Sequence, residues 1–105
     1  MATSEADRPF GVVDIGSNSI RLVVYERLCR APIALFNEKS VCALGKSLAA
    51  TGRLGRAETD SALHALRRFA HIAAALRTGE VEYVATEAVR RASNGAEFLA
   101  EAKRA

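Results

Sequence analysis

The chain has 105 residues, 50% apolar and 26% charged, a balance that suits one folded domain and is too apolar for a disordered chain. Its net charge of +3 is spread along the sequence, and the basic pairs Arg67-Arg68, Arg90-Arg91 and Lys103-Arg104 have no aromatics interleaved, so a nucleic-acid partner is not expected. No apolar run approaches membrane-spanning length and Met1 to Pro9 carries no apolar h-region, so neither a membrane partner nor a secretory leader is expected, and the localisation read is cytoplasmic.

Residues 1–9 are polar and read as a flexible tail before a domain over 10–105. Phe10 to Ile15 is a nearly continuous apolar run interrupted by Gly11 and Asp14, the pattern of a buried strand. Ile20 to Tyr25 is again β-branched and apolar, so Gly16 to Ser19 reads as a hairpin loop. Gly16 lets a ligand approach the backbone, while Ser17, Asn18 and Ser19 offer hydroxyl, amide and main-chain donors to an anion. Arg21 adds a planar, permanently charged fork suited to phosphate oxygens. Asp14 would repel a phosphate unless a cation or water lay between them, which makes it a candidate for Mg²⁺ or metal-bound water. Local chemistry leaves a second reading open, a polar turn capped by Asp14 with Arg21 solvated.

Pro32 opens a third strand expected to run to about Leu44, broken at the polar stretch Asn37 to Ser40. Cys29 and Cys42 lack metal or redox spacing and read as reduced structural thiols. Gly45-Lys46-Ser47 resembles the end of a phosphate loop, but Ser40 stands where that motif needs its first glycine, so it reads as a turn. From Arg56 to about Arg77 the periodicity becomes helical, with Ala62, Leu66, Phe69, Ala73 and Leu76 on one stripe, Gly55 as N-cap, Glu58 at N3 and Thr78-Gly79 as the stop. His64 and His71 lie on the opposite face, roughly 10 Å apart, too far to share an ion.

Val81 to Ala85 forms a fourth strand, returning after the helix to make a parallel pair. Thr86 begins a short helix, with Arg90 four residues later on the same face and Arg91 turned about 100° away. A cap at Thr86 and a surface ion pair at Arg90 are the ordinary alternative to a ligand-facing role. Asn94 with Glu97 marks the cap of a last helix carrying Phe98, Leu99 and Ala102.

The octet Asp14-Ile15-Gly16-Ser17-Asn18-Ser19-Ile20-Arg21, followed by Leu22, closely resembles the opening motif of the exopolyphosphatase and guanosine pentaphosphate phosphatase (Ppx/GppA) family. Phe36-Asn37-Glu38-Lys39, Leu44-Gly45 and Thr51-Gly52-Arg53-Leu54 resemble its third strand and the connection into its first long helix. Val84-Ala85-Thr86-Glu87-Ala88-Val89-Arg90 with Ala92 and Asn94 is similar to its second signature, so the likeness runs in order from about Phe10 to Lys103.

The resemblance implies an α/β fold of the actin, sugar-kinase and heat-shock-chaperone type (ribonuclease H-like), its mixed sheet ordered β-β-β-α-β-α and stopping before the next strand. An open edge and uncovered apolar surface are then expected. It implies a bacterial-type hydrolase releasing terminal phosphate from polyphosphate or guanosine penta- or tetraphosphate. In that reading Gly16, Ser17, Asn18, Ser19, Arg21 and Thr86 bind phosphate, Arg90 supplies catalytic charge and Asp14 acts through Mg²⁺. The family's later acidic segment and second Gly-rich loop have no counterpart, so negligible turnover is expected of this chain alone. A homodimer, or a separate remainder of the enzyme, enters as a partner. An ATP-using relative of the superfamily and a non-catalytic polyphosphate-binding or guanosine tetraphosphate-binding module remain the alternatives.

Overall fold

The computed structural model describes residues 8–27 and 29–105, so residues 1–7 of the expected tail lie outside it. Two strands, β1 (Phe10–Ile15) and β2 (Ser19–Tyr25), form an antiparallel hairpin in which Phe10 faces Tyr25 and Ile15 faces Ile20. Side chains alternate across a strand, so Val13 and Ile15 of β1 and Ile20, Leu22 and Val24 of β2 all enter the core. The same alternation puts Asp14 and Arg21, directly opposite each other, on the other face.

The third strand, β3 (Ala34–Val41), is continuous through the polar stretch where a break was expected. Asn37, Glu38, Lys39 and Ser40 pair with Val23, Leu22, Arg21 and Ile20 in register, and β3 lies at the sheet edge, where polar side chains keep access to water. The strand also stops before Leu44. Ala43 takes a left-handed conformation (φ 50°, ψ 44°) that turns the chain into a 3-10 turn, Leu44–Ser47, and a short helix, α1 (Leu48–Thr51).

Helix α2 (Arg56–Ala75) starts at Gly55, over which Glu58 folds back so closely that a Cβ there would lie 2.7 Å from its carboxylate. Ala62, Leu66, Phe69 and Ala73 are buried along the expected stripe. The helix ends short of the expected Arg77, and its stop is not Gly79. Arg77 itself turns left-handed (φ 57°) and donates its N–H to Ala74, while Thr78 N–H returns to Ala73, which closes the last turn. Gly79 instead donates to the Pro9 carbonyl at 2.9 Å, tying the start of β1 to the start of β4.

Strand β4 (Glu80–Ala85) lies parallel to β1, giving a four-stranded mixed sheet in the order β3-β2-β1-β4. Two helices follow, α3 (Glu87–Arg91) and α4 (Gly95–Arg104). Phe69, Ile15, Ile20, Leu22, Leu44, Val24 and Val89 are fully buried between the sheet and the helices, with Phe98 and Ala102 of α4 completing the cluster. The expected uncovered apolar surface is present at the edge strands, where Leu35 and Val41 of β3 and Val84 of β4 are 50%, 64% and 48% exposed. No helix among the described residues is long and apolar enough to cross a membrane.

Asn94 occupies the N-cap position of α4 as expected, but its side chain makes no cap bond. It forms a two-point clasp on Leu54, accepting from the Leu54 N–H at 2.8 Å and donating to the Leu54 carbonyl at 3.1 Å. Gly95 is required sterically, because a Cβ there would lie 2.2 Å from the Val89 carbonyl oxygen. Of the two cysteines only Cys42 fits a buried structural thiol, its Sγ 3.6 Å from the Ser40 carbonyl, whereas Cys29 is exposed.

Candidate functional site

The carboxyl ends of the parallel strands β1 and β4 lie side by side, which brings the β1–β2 hairpin loop next to the β4–α3 junction. The link is direct: Thr86 N–H donates to the Ile15 carbonyl at 3.0 Å, continuing the ladder one residue past the end of β4. Both sequence motifs therefore converge on one corner of the sheet.

Only Gly16, Ser17 and Asn18 form the loop proper, because Ser19 already belongs to β2. The turn is closed by the Gly16 N–H donating to the Ser19 carbonyl at 3.0 Å. No described loop residue has a positive φ, so Gly16 is needed for space and not for a left-handed turn: a Cβ would lie 3.0 Å from the Ser19 oxygen. The carbonyls are drawn inward. Asn18 O accepts from Cys42 N–H at 3.1 Å and Ala43 N–H at 2.9 Å, and Ser17 O accepts from Gly45 N–H at 2.7 Å. Among the described residues the N–H groups of Ser17 and Asn18 donate to no backbone carbonyl, and both residues are exposed. A turn that keeps its acceptors inside and its donors outside presents N–H groups from which an anion could accept.

Asp14 and Arg21 lie behind this loop on the open face of the sheet, as a cross-strand pair. Asp14 is exposed and makes no ion pair among the described residues. Arg21 leans along the sheet and donates from Nη1 to Asn37 Oδ1 of β3, so the structure holds its guanidinium by Asn37 and not by the loop. Sequence reasoning gave Asn37 no such role, because finding it needs the β2–β3 register.

Thr86 caps α3, its Oγ1 accepting the Val89 N–H at a long 3.4 Å, which leaves the hydroxyl proton free to donate. The ordinary ion pair expected of this helix falls to Arg91, 2.8 Å from Glu87 one turn away. Arg90 is exposed, has no acidic partner among the described residues, and lines a shallow cleft with Ile15, Val84, Ala85 and Lys103. The structure thus brings the loop from Gly16 to Ser19 next to Thr86, puts Arg90 in an adjoining cleft beside Ile15, and sets Asp14 and Arg21 back on the sheet.

His64 and His71 are both exposed on α2. Among the described residues no group of three or more His, Cys, Asp or Glu side chains could hold a metal, so there is no preformed protein cage. Mg²⁺ is commonly bound through one or two carboxylates and substrate phosphates with water filling the other positions, and Asp14 is an exposed carboxylate behind the loop.

The mixed sheet has loops gathered at the carboxyl ends of two parallel strands, and its match to solved Ppx/GppA structures makes it an actin-like α/β domain. The Aquifex aeolicus member of the Ppx/GppA family superposes with a TM-score of 0.86 at 30% identity, over 92% of this chain and 32% of its own. A Cytophaga hutchinsonii exopolyphosphatase superposes with a TM-score of 0.83 at 31% identity, over 92% of this chain and 31% of its own. Exopolyphosphatase 1 of Mycobacterium tuberculosis is 27% identical over 95 residues, 90% of this chain and 28% of that protein. A match of 95 residues in a chain of 105 necessarily spans Asp14 to Arg21. The model of the Ppx/GppA phosphatase family matches residues 23–105, and this chain belongs to that family. It spans about a third of the length of these relatives.

Proposed function

We propose that this chain forms one wall of a phosphoanhydride hydrolase cleft that takes polyphosphate or guanosine pentaphosphate and releases the terminal phosphate. The observation that carries this reading is the hairpin loop, whose carbonyls bond inward and leave the N–H groups of Ser17 and Asn18 without backbone acceptors. In phosphoryl transfer the protein acts mainly by positioning and by stabilising charge spread over phosphate oxygens.

Loop donors from Gly16 to Ser19 orient the terminal phosphate, and the Thr86 hydroxyl donates from the neighbouring strand end. Arg90, having no carboxylate partner, is available to the charge that develops on the transferred group. Arg21, fixed by Asn37, contributes positive potential from the open face. Asp14 is the residue that would hold Mg²⁺ or its water, and the ion when bound neutralises phosphate charge. The base that activates water is not assigned to any residue here, so the chain by itself is expected to bind and not to turn over.

Calorimetric titration of the 105-residue chain with inorganic triphosphate and Mg²⁺ tests this. Saturable binding is expected, weakened about tenfold by Arg90→Ala, or roughly 1.4 kcal/mol. Absence of binding would sink the phosphate-loop reading. Mg²⁺-dependent phosphate release from polyphosphate by this chain alone, abolished by Arg90→Ala, would instead show that the catalytic base is already present.

A further inference from the structure

We infer that the segment from Cys42 to Gly45 is the positioning element of the hairpin loop, with Gly45 the residue that sets Ser17; this rests on the reading of that loop as phosphate-binding. In the sequence, Gly45-Lys46-Ser47 imitates a phosphate loop without its leading glycine. In the structure it serves a phosphate loop built elsewhere.

The argument begins with peptide geometry. The C=O of one residue and the N–H of the next lie in one rigid plane and point in opposite directions. Gly45 N–H takes the Ser17 carbonyl at 2.7 Å, so the Asn18 N–H, on the other side of that peptide, is turned away from the 3-10 turn. The next carbonyl, Asn18 O, is held by two donors, Cys42 N–H and Ala43 N–H. Two successive peptide planes of the loop are therefore fixed by one short segment.

That segment carries evidence of constraint. Ala43 adopts φ 50° and ψ 44°, a left-handed conformation costly for a residue with a Cβ. Its N–H nevertheless reaches Asn18 O at 2.9 Å. Gly45 is packed as tightly: a Cβ there would lie 3.0 Å from Ser17 Cβ and 3.4 Å from the Ser17 oxygen. Any side chain at 45 must push Ser17 outward or lengthen the bond that orients the Asn18 amide. Gly45 touches no substrate in this scheme. It acts through Ser17, and Lys46 beside it is exposed.

The test is an NMR titration of the isotope-labelled chain with inorganic triphosphate and Mg²⁺. In the unmodified chain the Ser17 and Asn18 amides are expected to shift and saturate. In Gly45→Ala, binding is expected to weaken about tenfold and the Asn18 amide shift to shrink, while strand amides at Val13 and Leu22 keep their positions. Lys46→Ala should bind as the unmodified chain does. Equal binding by Gly45→Ala, or weakening by Lys46→Ala alone, overturns the inference and leaves the phosphate-loop reading standing. No saturable shift in the unmodified chain overturns that reading and the inference together. If Gly45→Ala does not fold, amide hydrogen exchange in the unmodified chain decides. Triphosphate should slow exchange at Ala43 and Gly45 together with Ser17 and Asn18, and unchanged exchange at Ala43 and Gly45 under saturation refutes the proposal.

Discussion

At the β1–β2 hairpin the carbonyls of Ile15, Ser17, Asn18 and Ser19 are all held, and most of their donors come from distant segments of the chain, at Cys42 to Gly45 and at Thr86. At the β4–α3–α4 corner Thr86 N–H is tied to Ile15, the bonds that follow are short-range, from Arg90 N–H to Thr86, Ala92 N–H to Val89 and Gly95 N–H to Ala92, and the remaining long-range anchors lie behind Arg90, from Ser93 N–H to Gly52 and in the Asn94 clasp on Leu54. The hairpin is thus fixed where a ligand would sit. Beyond Thr86, the corner is fixed at the end away from Arg90. Substitutions at the hairpin, and at the exposed Arg90, should therefore show mainly in binding, and substitutions at the Asn94 and Gly95 anchors mainly in stability.

The largest effect is expected at Gly95, where a Cβ would meet the Val89 carbonyl oxygen at 2.2 Å. Gly95→Ala should cost about 3 kcal/mol, measured by urea unfolding, because backbone and not a flexible side chain must move. Asn94→Ala should cost about 2 kcal/mol by the same measure, since it strips both polar groups of Leu54, itself only 3% exposed, of their side-chain partner. If either variant unfolds like the parent chain, the anchored-corner half of the contrast is lost.

Gly16→Ala sharpens the other half. Its Cβ would lie 3.0 Å from Ser19 O, a crowding that costs about 1 kcal/mol and is partly offset by reduced freedom of the unfolded chain. The expected result is near-parent stability with markedly weaker triphosphate binding by calorimetry. The smallest effect should come from Thr86→Ala, because the cap bond to Val89 is 3.4 Å long. A loss of about 0.5 kcal/mol in thermal unfolding is expected, at the low end for an N-cap. A loss several times larger would mean that the corner is held from Thr86 and not from Asn94.

Much of the architecture could be read from residue pattern. The apolar, β-branched runs Phe10 to Ile15 and Ile20 to Tyr25 predict both strands, and the stripe Ala62, Leu66, Phe69, Ala73 predicts the buried side of α2. The failures share a physical cause, namely partners distant in sequence. Asn37 to Ser40 looks like a break until β2 is placed beside it. Arg77 as a helix stop defies the preference of left-handed positions for glycine, and only the returning Leu76, Arg77 and Thr78 bonds reveal it. The hairpin loop itself was legible in Gly16 to Ser19, but its inward-turned carbonyls depend on Cys42 to Gly45, a stretch that reads locally as the end of a strand and the start of a turn. Arg21 was legible as a charge. Its direction, toward Asn37, was not.

The Asn94 clasp on Leu54 joins residues 40 positions apart through a pair of hydrogen bonds of the kind one strand gives another. A side-chain amide here imitates a backbone, and it does so late in the chain. The polar groups of Leu54, in the turn between α1 and α2, have no other side-chain partner among the described residues. The Leu54 amide is thus a local reporter of whether the segment around Asn94 is seated.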